Sequence, residues 1–277
     1  SDFYDLFGPT KKSRKGYAAK LGYTHWQVYD PPRTLKLTSE IAYYDKIDAL
    51  PNYQNVEAPF DQLVTLELGA RYNHPLRSLG AVDDDKGLGW EGVLTVNRAN
   101  GQNVPQVRGG FDFGIPLPMP HSSLWLRTVG GTANGDREDP FANFYFGGFG
   151  NNWIAQREIR RYREFYAFPG LELNEVPGRS FAKSTLEWNL PALRFDRFGT
   201  TRYYESWLRA SIFTGGLLTD LDGEAVRRRI GDAGFQIDLR FTALSRLDMT
   251  LSVGWAFAVE NGAPPRREAM VSLKVLQ

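Results

Sequence analysis

The chain has 277 residues, a formal net charge of +1 and a pI near 7.8. This balance creates no broad positive field and therefore does not favour a nucleic-acid partner. The absence of cysteine excludes a disulfide framework, a thiolate metal site and cysteine-based catalysis. The mean hydropathy is −0.40, and no segment approaches the roughly 18 apolar residues of a membrane-spanning helix. A transmembrane β-barrel would show the same values, because its strands are apolar on one face only.

The N-terminal residues 1–15 are polar and interrupted by Gly8-Pro9, which predicts an outer loop or an N-terminal extension. From residue 16 onward, apolar and polar residues alternate with a period of two, as in half-buried β-strands. Six such strands are predicted before a long loop and five after it. They cover approximately residues 17–24, 35–43, 64–73, 88–96, 107–115, 122–132, 179–190, 204–212, 235–242, 247–259 and 271–275. No long helix is predicted.

These eleven predicted strands are long and carry one apolar and one charged face. Many exceed the five or six residues that are usual in globular sheets. Their connections alternate between short turns, at 30–33, 116–121 and 244–247, and mostly longer loops. Short turns on one side and long loops on the other are typical of outer-membrane barrels. We therefore predict an all-β fold, an antiparallel transmembrane β-barrel over residues 16–277. A soluble β-sandwich or barrel is the alternative.

The longest connection covers about residues 133–178, and its central part, residues 141–165, is rich in aromatic residues and glycine. A long insertion in a compact domain is usually functional or disordered. This aromatic content argues against disorder. We predict that the loop folds back into the barrel.

Three sequence patches resemble the C-terminal barrel of the bacterial surface antigen superfamily, which includes BamA, TamA and the transporters of two-partner secretion. The first is Gly147-Gly148 followed by Ile159, Arg160, Arg161 and Tyr162. The second runs from Ser184-Thr185-Leu186-Glu187 to Leu190-Pro191, and the third is Ile212-Phe213-Thr214-Gly215-Gly216. Their order and spacing match over residues 141–277, whereas the first 140 residues fit only as generic barrel strands.

The resemblance implies a role for each patch. Residues Ile159–Tyr162 would form the functional tip of the long loop, with Gly147 and Gly148 as a glycine hinge. Glu187 and Thr214 stand at the positions that would bind the loop. The chain departs from the family pattern by having Arg161 in place of a glycine and Thr214 in place of an aspartate, and it ends on Val275-Leu276-Gln277 rather than on an aromatic residue.

We expect the guanidinium of Arg160 to bind Glu187 bidentately inside the barrel; a solvated arginine is the alternative. Arg161 and Arg163 are expected to face solvent or anionic lipid headgroups. Asp83-Asp84-Asp85 is expected to be a solvated turn. Charged residues on the polar strand faces are expected to pair across a wet lumen rather than to set the selectivity of a pore. They are Glu67, Arg71, Glu91, Arg108, Asp112, Arg127, Glu187, Arg209, Asp238 and Arg240.

No catalytic signature, metal site or cofactor site is predicted, since His25, His74 and His121 lack ligand spacing. The resemblance implies a non-enzymatic protein of the bacterial outer membrane that inserts, translocates or secretes polypeptide. The alternatives are a passive transport pore and an anchor for another, propeller-like domain. The expected partners are outer-membrane lipid and lipopolysaccharide, and periplasmic proteins or lipoproteins.

The predicted strand count is odd, whereas single-chain bacterial barrels have an even number of strands. The family barrel has sixteen strands, so five would be missing here. We therefore expect an upstream segment or a second chain to complete the barrel.

Overall fold

The computed structural model describes residues 2–4, 13–15, 17–46, 60–99, 101–150, 159–196, 198–200, 202–244 and 246–276. The strands in this part of the chain are β1 (Asp2–Tyr4), β2 (Ser13–Lys15), β3 (Tyr17–Asp30), β4 (Arg33–Asp45), β5 (Leu63–Leu76), β6 (Lys86–Ala99), β7 (Gln102–Pro116), β8 (Ser123–Ala133), β9 (Phe144–Phe146), β10 (Val176–Gly178), β11 (Ser180–Asn189), β12 (Leu193–Arg194), β13 (Gly199–Thr200), β14 (Tyr203–Thr219), β15 (Arg228–Ala243), β16 (Leu247–Glu260) and β17 (Arg266–Leu276). Two short 3₁₀ helices are η1 (Pro140–Ala142) and η2 (Arg161–Arg163). None of the helices in the described ranges is long and apolar enough to cross a membrane.

The main sheet contains 13 antiparallel strands, and eleven of them form a continuous path in the order β17-β16-β15-β14-β11-β8-β7-β6-β5-β4-β3. The all-β antiparallel prediction and its eleven long strands are thus confirmed. The short strands were not predicted: β12 and β13 pair with β14, β1 pairs with β2, and β9 pairs with β10. In the described residues β3 and β17 each pair on one edge only, and no pairing between them closes the sheet into a barrel.

The two faces of the sheet have opposite character. Along β16 the buried positions are mostly small or polar, such as Thr250 and Ser252, whereas Val253 and Trp255 are exposed. The neighbouring β15 repeats the pattern, with buried Asp238 beside exposed apolar residues. We call the face with the polar and small residues the inner face and the apolar, exposed face the outer face.

The described parts of the long loop, residues 134–150 and 159–179, cover the inner face from one end of the sheet to the other. The loop leaves β8 after Ala133 and returns at Ser180, where β11 begins. Within it, Arg160 contacts Asn189, where β11 ends. At about 3.3 Å per residue, the length of β11 corresponds to roughly 30 Å. We call the end at Ser180 the loop rim and the end at Asn189 the far rim.

An aromatic cluster joins the loop to the sheet. The loop contributes Phe144, Phe146 and Phe168, which are almost fully buried against Phe181 of β11 and other inner-face residues. Residues of five strands, from β8 to β16, belong to this one cluster: Ala133, Phe181, Leu217, Ile230 and Ala258. Because side chains from five adjacent strands meet the same loop, the sheet curves around it.

A close backbone approach fixes where the returning part of the loop meets β16. Gly170 has φ +95°, and a Cβ atom there would lie 2.5 Å from the backbone nitrogen of Ala258. Only glycine allows both this conformation and this contact.

We expect Gly170→Ala to lower the free energy of unfolding by about 2 kcal/mol or more, because it adds a steric overlap to backbone strain. The matched control is Gly262→Ala, since Gly262 has φ +83° but open space where the alanine methyl group would lie. Denaturant unfolding of both variants checks this. Equal losses would show that the contact with β16 carries no stability.

Candidate functional site

The tip of the long loop, Ile159–Glu164, is buried on the inner face near the far rim. Arg160 is 1% exposed although it carries a full charge. A buried guanidinium is tolerated only when carboxylates and hydrogen-bond acceptors surround it. The tip must therefore be surrounded by such groups, and its contacts with them hold the loop against the sheet.

Glu187 of β11 is fully buried, and its carboxylate accepts hydrogen bonds from three arginines. Nη1 of Arg160 donates to its Oε1 at 2.8 Å. Arg163 makes a bidentate contact with the same carboxylate: its Nε lies 2.8 Å from Oε2, and its Nη2 contacts Oε1. Arg127 of β8 donates to Oε2 from Nε at 3.2 Å. The predicted pairing of Arg160 with Glu187 is present, but the bidentate partner is Arg163.

A second carboxylate, Asp83, binds the tip from the connection between β5 and β6. Its Oδ2 lies 3.0 Å from Nη2 of Arg160 and 3.3 Å from Nη2 of Arg163. Arg209 of β14 approaches the same oxygen at 3.9 Å. Burial alone would raise the pKa of the Asp83 carboxyl, but the positive charges of Arg163, Arg160 and Arg209 outweigh it and hold that pKa well below its usual range.

The contacts form one network of four arginines and four carboxylates. Arg127 also pairs with Asp112 of β7 at 2.8 Å, and Arg209 pairs with Asp238 of β15 at 3.0 Å. Among the described residues, these ion pairs set Arg127, Arg160, Arg163 and Arg209 opposite Asp83, Asp112, Glu187 and Asp238. It ties the loop to β7, β8, β11, β14 and β15. The sequence interpretation that inward charges pair with one another agrees with these contacts.

The expectation that Arg161 and Arg163 face solvent is wrong. Arg161 is 4% exposed and pairs with Glu164 at 2.9 Å, and its backbone N–H donates to Gln236 of β15. Gln236 in turn donates to the carbonyl of Ile159 at 2.9 Å. Both arginine side chains are covered because the tip packs against β11, β14 and β15 at once.

The ring of Tyr162 packs against the inner face. It stacks on Phe213 of β14 with the centroids 4.3 Å apart and the planes 19° from parallel. Burial raises the pKa of the Tyr162 hydroxyl to about 12. Tyr162 therefore gives the tip an apolar contact beside its ionic ones.

Two further anchors hold the end of the tip and the loop behind it. The ammonium group of Lys183 on β11 donates to the carbonyls of Glu164, Phe165 and Ala167 at 2.7–3.2 Å. On the edge strand β17, the carboxylate of Glu268 accepts the backbone N–H groups of Phe149 and Gly170, at 3.1 and 3.0 Å. The loop therefore connects the middle of the sheet to its last strand.

Gly147 and Gly148 are packed against the returning part of the loop. Gly147 donates to the carbonyl of Tyr166, and Phe168 donates to the carbonyl of Gly148. Gly147 has φ +148°, and a Cβ atom there would lie 1.9 Å from the carbonyl oxygen of Glu172. This close approach accounts for glycine at this position; the hinge role stays a prediction.

The structure does not support Thr214 as a partner of the loop. Its side chain is exposed on the outer face and donates to the backbone carbonyl of Asp232 at 2.9 Å. The reason is strand alternation: the neighbouring Phe213 occupies the inner face and contacts the loop. The position that holds an acid in the family pattern therefore cannot bind the tip here.

The solvated-turn interpretation of Asp83-Asp84-Asp85 is also wrong in part. The side chain of Asp83 is only 22% exposed, and Asp85 is 5% exposed and accepts the N–H of Ser78. Asp84 makes a surface ion pair with Arg77, as a solvated turn would. Across the described residues, no group of histidine and acidic side chains is arranged to hold a metal ion.

No protein-family model matches this chain, and no curated protein matches it.

The sequence reasoning missed three functional contacts: those of Asp83, Lys183 and Glu268. For Lys183 the sequence offers one indication, since the alternating pattern puts this residue on the polar face of its strand. Asp83 lies 80 positions before Arg163, and Glu268 lies 119 positions after Phe149. No local pattern connects partners so far apart.

We predict that Arg163 and Glu187 are strongly coupled. Removing either partner breaks a buried, hydrogen-bonded charge pair, so Arg163→Gln or Glu187→Gln should each cost about 3–5 kcal/mol. A double-mutant cycle measured by denaturant unfolding should give a larger coupling energy for Arg163 with Glu187 than for Arg160 with Glu187. The reason is that Arg163 makes the bidentate contact.

The control cycle uses Arg240 and Asp248, an inner-face pair whose side chains are 30% and 45% exposed. Its coupling should stay below about 1 kcal/mol, as for other solvated pairs. Additive effects of Arg163→Gln and Glu187→Gln would contradict the assigned contact.

Proposed function

We propose that this chain is a non-enzymatic β-barrel protein of the bacterial outer membrane, of the surface-antigen type, which takes part in the insertion, translocation or secretion of polypeptide. In this proposal the outer face contacts lipid and lipopolysaccharide, and the long loop lies in the path through the interior. Its tip and Glu187 set the position of the loop.

The observation that carries the membrane assignment is the inverted burial of the sheet. Charged and polar residues such as Glu187 and Asp238 are almost fully buried, whereas Ile237, Val253 and Trp255 are 37–43% exposed. In water this arrangement would leave a large apolar surface uncovered on many adjacent strands. In a bilayer the same surface is favourable, since lipid-facing and interior-facing residues alternate along each strand.

The family assignment is supported by the order of the motifs and by the position of the loop. Arg160 comes from the loop before β11, and Glu187 lies on β11 itself, as the resemblance implies. Arg163 and Asp83 extend this contact beyond the expected pair. A loop held in this way stands where a polypeptide would have to pass.

The two edges of the sheet support the proposed partner strands. An edge strand exposes backbone N–H and C=O groups, which lipid cannot satisfy. Among the described residues β3 and β17 have such edges. We propose that further strands, from another segment of the protein or from a second chain, pair with them in the membrane.

A substitution pair on β5 tests the membrane environment. Leu66 is 38% exposed on the outer face, and Leu66→Arg should cost roughly 2–4 kcal/mol when the protein folds into liposomes. The control is Asn73→Arg, because Asn73 lines a polar cavity on the inner face of the same strand. Equal penalties at the two positions would refute the lipid-facing assignment.

A passive pore is a second candidate, favoured by that cavity. It has a volume of about 410 Å³ and lies between the loop tip and β5, β6, β7, β8 and β11. Arg71, Glu91, Asp112 and Arg127 line it. In this second candidate function, the polar space beside the docked loop is the path for water and small ions.

If ions use this path, purified protein in planar bilayers should conduct. Arg71 pairs with Glu91 through Nε at 2.9 Å and is more than half exposed, so Arg71→Glu should shift the reversal potential towards cation selectivity. The unsubstituted protein in the same salt gradient is the reference. An absence of conductance, or an unchanged reversal potential, would exclude this cavity as an ion path.

A further inference from the structure

The outer face has a groove along β14 that begins at the loop rim. Its first part has a volume of about 660 Å³ and is lined, among others, by Ala182, Ser184, Gly216, Leu218, Gly231 and Val259. In the register of the sheet, Ser184 of β11 and Gly231 of β15 flank Gly216 of β14. A Cβ atom at Gly216 would meet no heavy atom of the described residues within 4 Å. The groove is therefore open to the outside where three neighbouring strands carry short side chains or none.

A second depression continues the groove towards the far rim. It has a volume of about 740 Å³ and is lined, among others, by Leu186, Trp188, Ala210, Ile212, Thr214 and Phe235. Thr214 and Gly216 are successive outer positions of β14, so the two depressions lie end to end. From Leu218 to Ala210, at about 3.3 Å per residue, the groove is roughly 26 Å long. It is deeper than one leaflet of a bilayer, whose hydrocarbon layer is about 15 Å thick, and can hold an acyl chain lengthwise.

A guanidinium stands at the loop-rim end of this groove. Arg229 lines its first part, opposite Leu218. Its side chain is exposed and makes no ion pair or hydrogen bond with any residue that the structure describes. The preceding residue, Arg228, lies on the inner face and binds both carboxylate oxygens of Glu260 at 2.7 Å. Of these two adjacent arginines, one is thus satisfied by the protein and the other points outward at the edge of the apolar face.

This arrangement has the chemistry of a phosphate-bearing lipid. An arginine on the lipid face is tolerated near the membrane interface, where the headgroups lie, and guanidinium groups bind phosphate bidentately. The longest connection between strands of the main sheet leaves and re-enters at the loop rim. In outer-membrane barrels the long loops lie on the cell-surface side, so Arg229 would face the headgroups of the surface leaflet.

We propose that this groove binds lipid A, the phosphorylated acyl anchor of lipopolysaccharide. A phosphate contacts Arg229, and one acyl chain lies along β14 over Gly216 and Ala210. The site rests on the proposed function, because it requires the outer face to lie in an outer membrane. It adds to that function one defined lipid position beside the strands that hold the long loop.

Native mass spectrometry in detergent micelles tests the site. The full-length protein, purified with any chain that pairs with its edges, is titrated with lipid A and with lipid A from which the phosphates have been removed. Arg229→Gln should weaken the binding of lipid A about tenfold, the effect expected from losing a charge-assisted bond. It should leave the affinity for the dephosphorylated probe unchanged. Gly216→Val should weaken the binding of both probes, because its side chain occupies the open space of the groove.

The matched controls lie on the outer face of β6. Arg98 is exposed at the loop rim, and Gly92 has open space where a Cβ atom would lie. Arg98→Gln and Gly92→Val should leave both affinities unchanged. Equal weakening by the β6 variants, or unchanged binding of lipid A by Arg229→Gln, overturns the site. Phosphatidylglycerol that binds as tightly as lipid A would overturn the choice of lipid.

The result is separable from the test of the membrane assignment. If Arg229→Gln changes nothing while Leu66→Arg and Asn73→Arg still differ in liposomes, the groove alone is refuted. Equal penalties for that β5 pair count against the membrane assignment itself. Because Arg229 is exposed, its substitution leaves folding intact and decides the site even if Gly216→Val fails to fold.

Discussion

The constraint on which this structure depends is that buried charge must be balanced where the loop meets the sheet. Glu187 is completely buried, and a lone carboxylate there would be strongly destabilising. Arg160 and Arg163 of the loop satisfy it together with Arg127 of β8. Sheet and loop are therefore each incomplete without the other. The loop is a structural part of the interior, and the curvature of the sheet follows from enclosing it.

The inverted burial and the loop are two consequences of the same pattern. Alternation places charged residues on the inner face, so that face cannot be covered by an ordinary apolar core. Towards the loop rim the loop covers it with aromatic side chains such as Phe146 and Phe168, and towards the far rim with arginines. The inner face itself changes in the same way: it carries Phe181 and Leu217 towards the loop rim, and Glu187 and Asp238 towards the far rim.

The sequence predicts the long strands and their faces because a period of two is a local property that each strand displays by itself. The sequence also indicates Glu187, because this charged residue belongs to the patch Ser184–Glu187 that resembles the family motif. The short strands β12 and β13 were missed because two residues carry no periodicity. Thr214 was misassigned because a family motif gives a position in the sequence but not the face of the strand, which the alternation about Phe213 decides. Asp83 was misjudged because the sequence of an acidic turn is the same whether its side chains face water or an arginine far away in the chain.

The anchors of the loop differ in chemistry along its length. Lys183 binds three backbone carbonyls, and Glu268 binds two backbone N–H groups. Such contacts depend on the backbone shape of the loop and persist while that shape persists. The tip has backbone contacts of this kind with Gln236, and in addition it binds side-chain charges supplied by two separate elements, β11 and the connection before β6. Because Glu187 and Lys183 both lie on β11, this strand holds the tip and the segment behind it together, whereas Asp83 reaches the tip from a separate connection. The loop is therefore held along its length by backbone contacts, and at its tip these are joined by ion pairs that connect β11 to the distant connection before β6.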